Sequence, residues 1–435
     1  MRTLHVFHGA NLVNGVDRAT LTLCEALRAQ GVAVHALVPE DGPVLAELGR
    51  LSIPAEIAPL GCCESLAPRA RLKFFANAGR RIGLIEELIV RWGIDLVHAN
   101  TGHLVDAAIA AALRPVPLLW HVHSPIGIDH ARYAPHLDLA GYGALLGGLS
   151  SRVLTVSEDM HRSLAEHVPP AQITVLPNGV DVAALETAAR RPGRSVRTEL
   201  GLPAASPLIL GVGRVSAQKD FATFARVAAA VARSGSDAHF LIAGPFEEPP
   251  AVRELRETIA ANRLEDRVHL LGPRDDVPRL LLEANVVLST AAFEGQGIST
   301  IEAMALARPV VAMACAGLRE CVTDGVDGLL VPLGDVDACA AAVLRLLRDR
   351  ELAERLGKSA RATVGSRFSR PAFGKAFLRI ATEAAAAGVP PLRTTLARPL
   401  KSLLGELAEA DDRVRRHEIA GSRSWLDRAR GKLAR

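Results

Sequence analysis

The stretch "NVVLSTAAFEGQGISTIEAMALARPVVAM", residues 285–313, decides how the rest of the chain is read. An apolar run ends at Thr290. The glycine-bearing loop "AAFEGQGI" follows, then the helical pattern "STIEAMALA", then a second apolar run, "RPVVAM". Strand, helix and strand in that order make a βαβ unit with parallel strands. The loop glycines let backbone approach another group closely, and free N–H groups at a helix start favour anions. Glu294 lies at the C-terminal edge of the first strand, where open parallel sheets bind ligands. Ser299 and Glu302 also fit an S-x-x-E capping box, in which the acid serves only its own helix.

Working outward, the same alternation recurs. The runs 3–8, 33–39, 95–100, 117–123, 152–157 and 173–178 read as strands, with amphipathic stretches such as 18–31 between them. A second set begins at "LILGVGR" (208–214) and continues through 238–244, 267–272, 285–290, 308–313 and 327–332. We expect two Rossmann-like, doubly wound α/β domains facing a central cleft. They cover 1–182 and 207–365, joined by a polar, basic connection at 183–206. A helix at 366–390 returns to the first domain. A basic tail, 391–435, is helical or partly disordered.

Composition narrows the function. The chain has 435 residues, 49% apolar and 23% charged, with a net charge of +4. So small a charge on so long a chain gives no argument for nucleic acid as a partner. The abundance of Arg and Ala suits a GC-rich bacterial genome. The six cysteines, of which Cys62 and Cys63 are adjacent, have no metal-ligand spacing and read as reduced thiols of a cytoplasmic protein. "MRTLHVFHGANLVNG" lacks a signal core, and no apolar run reaches the roughly 20 residues of a membrane span.

Three further segments carry candidate chemistry. In "LILGVGRVSAQKD" (208–220), Arg214 and Lys219 stand at a strand–helix corner, where a fork and a point charge suit a diphosphate. The plainer reading is two solvated cations. The segment lacks the third glycine of a dinucleotide fingerprint, which disfavours a nicotinamide dehydrogenase. In "LLWHVHSP" (118–125), His121 and His123 share a strand face; one is expected to be structural, and a metal site there lacks a third ligand. In "HGANLVNGVDRAT" (8–20), Gly9, Asn14 and Gly15 form a turn into a helix.

Together these segments resemble glycosyltransferase family 4, retaining nucleotide-sugar enzymes of GT-B architecture, from about residue 3 to residue 380. "FEGQGISTIEA" resembles its E-x7-E signature, and "GRVSAQK" its G-R-x4-K motif. "VLTVSEDM" (153–160), "VLPNGVD" (175–181) and the stretch 321–369 resemble further parts of it. The resemblance implies that Glu294 contacts the donor sugar and that Gly297 and Glu302 hold sugar and ribose. It implies that Arg214, Lys219, Ile298, Ser299 and Gly15 serve the donor diphosphate, and that His123 lies with Glu294 at the reaction centre. It places the acceptor on the first domain and the nucleotide sugar on the second. Departures from the pattern are Asn14 for a glycine, Gln296 where an aromatic is common, and "AGLRE" (316–320) for G-G-x-P-E.

The expected activity is transfer of a sugar from a UDP- or GDP-sugar to a glycan, lipid-linked or small-molecule acceptor in polysaccharide or glycolipid synthesis. No cofactor and no metal are expected. The competing readings are a sugar-nucleotide epimerase or hydrolase of the same architecture, and a non-catalytic nucleotide-sugar-binding scaffold. The segment 67–92 has five basic residues between Arg69 and Arg81, with Phe74 and Phe75 among them. It suits peripheral docking on anionic lipid at the inner face of the plasma membrane, against the plainer reading of a helix packed by its Ile stripe.

Overall fold

Short Val- and Leu-rich runs form the strands of two parallel sheets. The computed structural model describes residues 1–12, 15–60, 77–127, 138–389, 395, 397–399 and 401–402. The first sheet contains β1 (Arg2–Val6), β2 (Ala33–Val38), β3 (Ala55–Ile57), β4 (Leu96–Asn100), β5 (Leu118–Val122), β6 (Arg152–Thr155) and β7 (Ile173–Val175), in the order 3-2-1-4-5-6-7. The second contains β8 (Leu208–Val212), β9 (His239–Ala243), β10 (Val268–Gly272), β11 (Val286–Ser289), β12 (Val310–Met313) and β13 (Leu329–Val331), in the order 10-9-8-11-12-13. Neighbours pair in parallel throughout, as in β1 with β4 and β8 with β11.

Every residue of β4, β5 and β9 is buried, as expected of strands covered by helices on both faces. The strand order reverses between β1 and β4 and again between β8 and β11. Such switch points open a crevice beyond the strand C-termini. The expected fold is therefore found, with one strand added. β3 is a three-residue edge strand in "SIPAEIAPL", too short and too closely flanked by proline to stand out in the sequence.

The connection at 183–206 is more structured than its polar composition suggests. It holds the helices Val182–Ala189 and Val196–Leu200. Ala189 and Val196 share a core with Leu208, Leu280 and Leu281, so this segment packs as part of the second domain. Glu283 secures it by accepting from Ser195 Oγ at 2.6 Å and from the Val196 N–H at 3.1 Å.

The chain crosses between domains a second time near Phe368, after the π-helical turn Val364–Phe368. The two crossings run side by side. Val180 donates to the Phe368 carbonyl at 2.8 Å, and Arg370 donates to the Val180 carbonyl at 2.9 Å. The Arg370 guanidinium also bonds Asp181 at 2.6 Å and Glu25 at 2.8 Å. The helix Arg370–Ala387 then lays Phe373, Phe377, Ile380 and Ala384 into the core that holds Leu23 and Leu27 of helix Gly15–Ala29.

Helix Ala78–Arg91 buries Ile82, Ile85 and Ile89, so the described part of the basic segment packs by its apolar stripe. Arg81 is turned inward onto Asp106 at 2.5 Å. Arg69, Arg71, Lys73, Phe74 and Phe75 lie outside the described residues, as do Cys62, Cys63, Asn14 and most of the tail. No helix of the described residues is long and apolar enough to cross a membrane. Cys24, Cys315, Cys321 and Cys339 are free, and burial pushes their thiols up, Cys339 to about 12.

Two glycines separate the helix packing from helix propensity. A Cβ on Gly83 would meet nothing within 4 Å, whereas one on Gly374 would lie 2.7 Å from the Ala26 Cβ. Gly83→Ala is expected to raise the urea midpoint through a gain of about 1 kcal/mol. Gly374→Ala is expected to lower it, because overpacking costs roughly 1–3 kcal/mol.

Candidate functional site

The loops after β8 and β11 meet at the switch point of the second sheet. β8 is followed at once by Gly213, whose φ of 153° is open mainly to glycine. A Cβ there would fall 2.8 Å from Lys219 Cε, so the glycine clears the path along which the lysine side chain lies. Thr290 Oγ1 donates to the Asp220 carbonyl at 2.9 Å, and the Ala292 N–H donates to the Gln218 carbonyl at 2.9 Å. The two loops are thus tied by backbone before any charge is considered.

Their side chains form one network. The Lys219 ammonium pairs with the buried Glu294 carboxylate. Gln218 donates to the other Glu294 oxygen at 3.3 Å and accepts from Arg214 at 3.2 Å. Arg214 also bonds both oxygens of Glu247, at 3.0 and 2.8 Å. Three of these residues belong to the predicted site. Gln218 and Glu247 do not. Gln218 occupies an unconstrained position of G-R-x4-K, and Glu247 comes from the loop after β9. Nothing local in sequence marks either one.

The capping box expected at Ser299 and Glu302 does not form. Helix Ile298–Ala305 starts after Gly297, its N-cap, at φ 78° and with no side-chain cap bond. Ser299 is already inside the first turn. The left-handed Gly297 supplies the sharp entry that a capping side chain would otherwise hold, and the first-turn N–H groups of Ile298 and Ser299 have no intrahelical acceptor. Glu302 is freed from capping. It is buried and faces Arg18 Nη2 of the first domain at 3.1 Å. Arg18 was missed; it lies one turn beyond the glycine turn, and only the domain arrangement brings it to Glu302.

The segment 294–302 touches the first domain at alternate points. A Cβ on Gly295 would sit 2.4 Å from the His123 carbonyl oxygen, and one on Gly15 would sit 3.2 Å from Ile298 Cδ1. Gln296 makes a reciprocal pair with the Asn178 backbone, accepting from its N–H at 2.7 Å and donating to its carbonyl at 3.1 Å. Glu320 accepts from the N–H groups of Glu158 and Asp159, each at 2.7 Å, and so caps a first-domain helix from across the cleft. A Cβ on Gly317 would lie 2.4 Å from the Glu294 carbonyl, so "AGLRE" keeps the glycine on which this packing depends.

His123 follows β5. Its Nδ1 lies 3.5 Å from Asn178 Nδ2, and its Nε2 is buried with no partner. His121 is the structural member of the pair. It lies in a ladder across neighbouring strands, with His5 Nδ1 3.0 Å from His98 Nδ1 and His98 Nε2 3.4 Å from His121 Nδ1. Phe377 of the returning helix covers His5 and His98. Among the described residues no group of three or more His, Cys, Asp or Glu side chains is placed to hold a metal ion.

With this geometry in hand, the chain can be set beside known proteins. Residues 13–184 match the profile described as Glycosyltransferase Family 4, and residues 206–349 match Glycosyl transferases group 1. Between them the two profiles, both of glycosyltransferases, span most of the chain. It is 34% identical over 191 residues to an alpha-D-kanosaminyltransferase of Streptomyces kanamyceticus, covering 43% of this chain and 48% of that protein. The match therefore spans about half of that relative's length. It is 26% identical over 348 residues to a UDP-Gal:alpha-D-GlcNAc-diphosphoundecaprenol alpha-1,3-galactosyltransferase of Escherichia coli, covering 78% of this chain and 87% of that one. Among solved structures, Anabaena HepE in complex with UDP-glucose superposes with a TM-score of 0.72 at 22% identity, over 88% of this chain and 100% of that one. Sucrose-phosphate synthase from Thermosynechococcus elongatus gives 0.70 at 24% identity, over 89% and 99%. These two share the fold.

The buried histidines have a consequence for stability. Burial, with help from neighbouring imidazoles, holds His98 and His123 well below the usual 6.5, and burial above all takes His5 and His121 to about 3. Each folded value lies below the unfolded one, so the unfolded chain takes up the proton first. Stability is then full above about pH 6.5 and is lost as pH falls, by up to about 1.4 kcal/mol per pH unit for each histidine. Urea midpoints measured from neutral pH down to about pH 5 should fall steeply. A flat profile would show that these imidazoles are not held neutral by the fold.

Proposed function

We propose that the protein transfers a sugar from a nucleotide-diphosphate donor, such as a UDP- or GDP-sugar, to an acceptor bound against the first domain, with retention at the anomeric carbon. The observation that carries this reading is the Arg214–Gln218–Glu294–Lys219 network at the second sheet's switch point, facing Arg18 and His123 of the first domain. The E. coli relative acts on a diphosphoundecaprenol acceptor by its name, and the Anabaena protein is described with UDP-glucose bound. Both support a nucleotide sugar here, and the first supports a lipid-linked acceptor.

The chemistry follows from charge. Lys219 pairs with Glu294 and Arg18 with Glu302, which lessens the cost of burying the two carboxylates, while Arg214 pairs with Glu247 nearer solvent. A nucleotide sugar brings a replacement for each partner. Its phosphates attract Lys219 and Arg214 away from Glu294 and Glu247. Its hydroxyls donate to the released Glu294, and its ribose to Glu302. The bond from the anomeric carbon to the diphosphate oxygen breaks as the acceptor oxygen bonds to the same face of that carbon. The acceptor's proton passes to the leaving phosphate. Lys219, Arg214 and the N–H groups of Ile298 and Ser299 stabilise the charge that collects on the diphosphate, so no metal is needed.

Purified protein assayed against a panel of nucleotide sugars, with an acceptor extract and excess chelator, should yield a lengthened acceptor. Lys219→Ala and Glu294→Ala should each lower kcat/KM by roughly 10²–10³-fold. Full activity in both would overturn the residue roles. An epimerised donor would point to the alternative enzyme, and no nucleotide binding by calorimetry would point to a scaffold. The basic run from Arg69 to Arg81, less the inward-turned Arg81, is proposed to hold the protein on anionic membrane near a lipid-linked acceptor. Sedimentation with anionic liposomes at low salt, lost at high salt, is the expected result.

A further inference from the structure

We infer that Gln296 is a positioning residue for the transfer reaction: through Asn178 it sets the orientation and tautomer of His123 relative to Glu294. The inference rests on the nucleotide-sugar reading above and adds a residue to it.

Gln296 stands two residues after Glu294, in the loop that carries the acid. Its amide closes a two-bond ring with the Asn178 main chain, 2.7 Å in one direction and 3.1 Å in the other, much as a neighbouring strand would. Both residues are buried, with relative exposures of 4% and 3%. Two of the loop's other anchors come from the second domain: Cys321 Sγ donates to the Gln296 carbonyl at 2.9 Å, and Lys219 pairs with Glu294. The clasp therefore joins the donor loop to the strand end beside His123.

The Asn178 side chain extends the connection. We assign the Asn178 Nδ2, 3.5 Å from His123 Nδ1, as the donor, so that this imidazole nitrogen accepts and the ring proton sits on Nε2. That Nε2 is buried and has no partner among the described residues. A sealed donor with nothing to bond to is costly in isolation, and it becomes favourable once a ligand oxygen arrives. The Asn178 Oδ1 is also buried without a partner among the described residues, so the contact with the imidazole is what orients the side-chain amide. An aromatic at position 296 could fill the same space but could not make two bonds to a main chain.

Two variants separate positioning from mere latching. Gln296→Met keeps the volume and removes both clasp bonds. Asn178→Ala keeps the clasp, which uses only backbone atoms of residue 178, and removes only the bond to His123. In the 15N-labelled full chain at about pH 7.5, with His123 signals assigned by their loss in His123→Gln, the wild type should show one tautomer, protonated at Nε2. Both variants should show a mixture of tautomers. Both should also lose roughly 10²-fold in kcat with donor KM little changed. Gln296→Glu, which retains one of the two bonds, should fall between. If Asn178→Ala keeps both the tautomer and the kcat of the wild type, the inference is overturned and Gln296 only latches the domains. If Gln296→Met does not fold, the Asn178→Ala result decides alone. A wild type that turns over no nucleotide sugar removes the functional reading, and the tautomer measurement still decides this one.

Discussion

A carboxylate sealed at the foot of a cleft has to find its counter-charge inside the protein, and that requirement organises this molecule around Glu294. Lys219 answers it, but only because Gly213 has no side chain in the lysine's path and because the Thr290 hydroxyl and the Ala292 N–H tie the two loops by bonding carbonyls of the other. Gln218 then passes the arrangement on to Arg214, and Glu247 anchors the far end. Burying several charges is tolerable when each is matched and hydrogen-bonded. The same matching leaves every member exchangeable for a group on a charged, hydroxylated ligand.

The second constraint is the closeness of the two domains. The loop that carries Glu294 lies so near the first domain that Gly295 has no room for a Cβ, and bonds from Gln296, Glu302 and Glu320 cross the gap. These contacts depend on the paired crossings at Val180 and Arg370 and on the helix Arg370–Ala387 packed against helix Gly15–Ala29. Phe377 of that helix also covers His5 and His98 of the histidine ladder, so the returning helix seals the polar interior of the first domain.

Much of the site was legible because its motifs are local. Glu294, Arg214 and Lys219 stand at strand ends, where parallel sheets expose their loops, and a strand–loop–helix pattern reveals such ends. The partners were not legible. Gln218 has no distinguishing spacing, Glu247 belongs to a different βα loop, and Arg18 reaches Glu302 from 284 positions away in the chain. The capping box was misread for a related reason. Ser299 satisfies the local pattern, but the chain enters the helix through the left-handed Gly297, whose shape is set by packing against Leu318.

Hydrophobic periodicity and glycine placement along the chain by themselves determined two doubly wound domains, and short motifs carried the resemblance to family 4 glycosyltransferases, because those signals act over a few residues. Tertiary structure alone decided which charges meet. Ion pairing and hydrogen bonding depend on distances of about 3 Å, and only the packing of whole domains sets such distances between residues far apart in sequence. That is why Gln296, which reads in sequence as a departure from an aromatic, proves in the folded chain to hold the main chain beside His123.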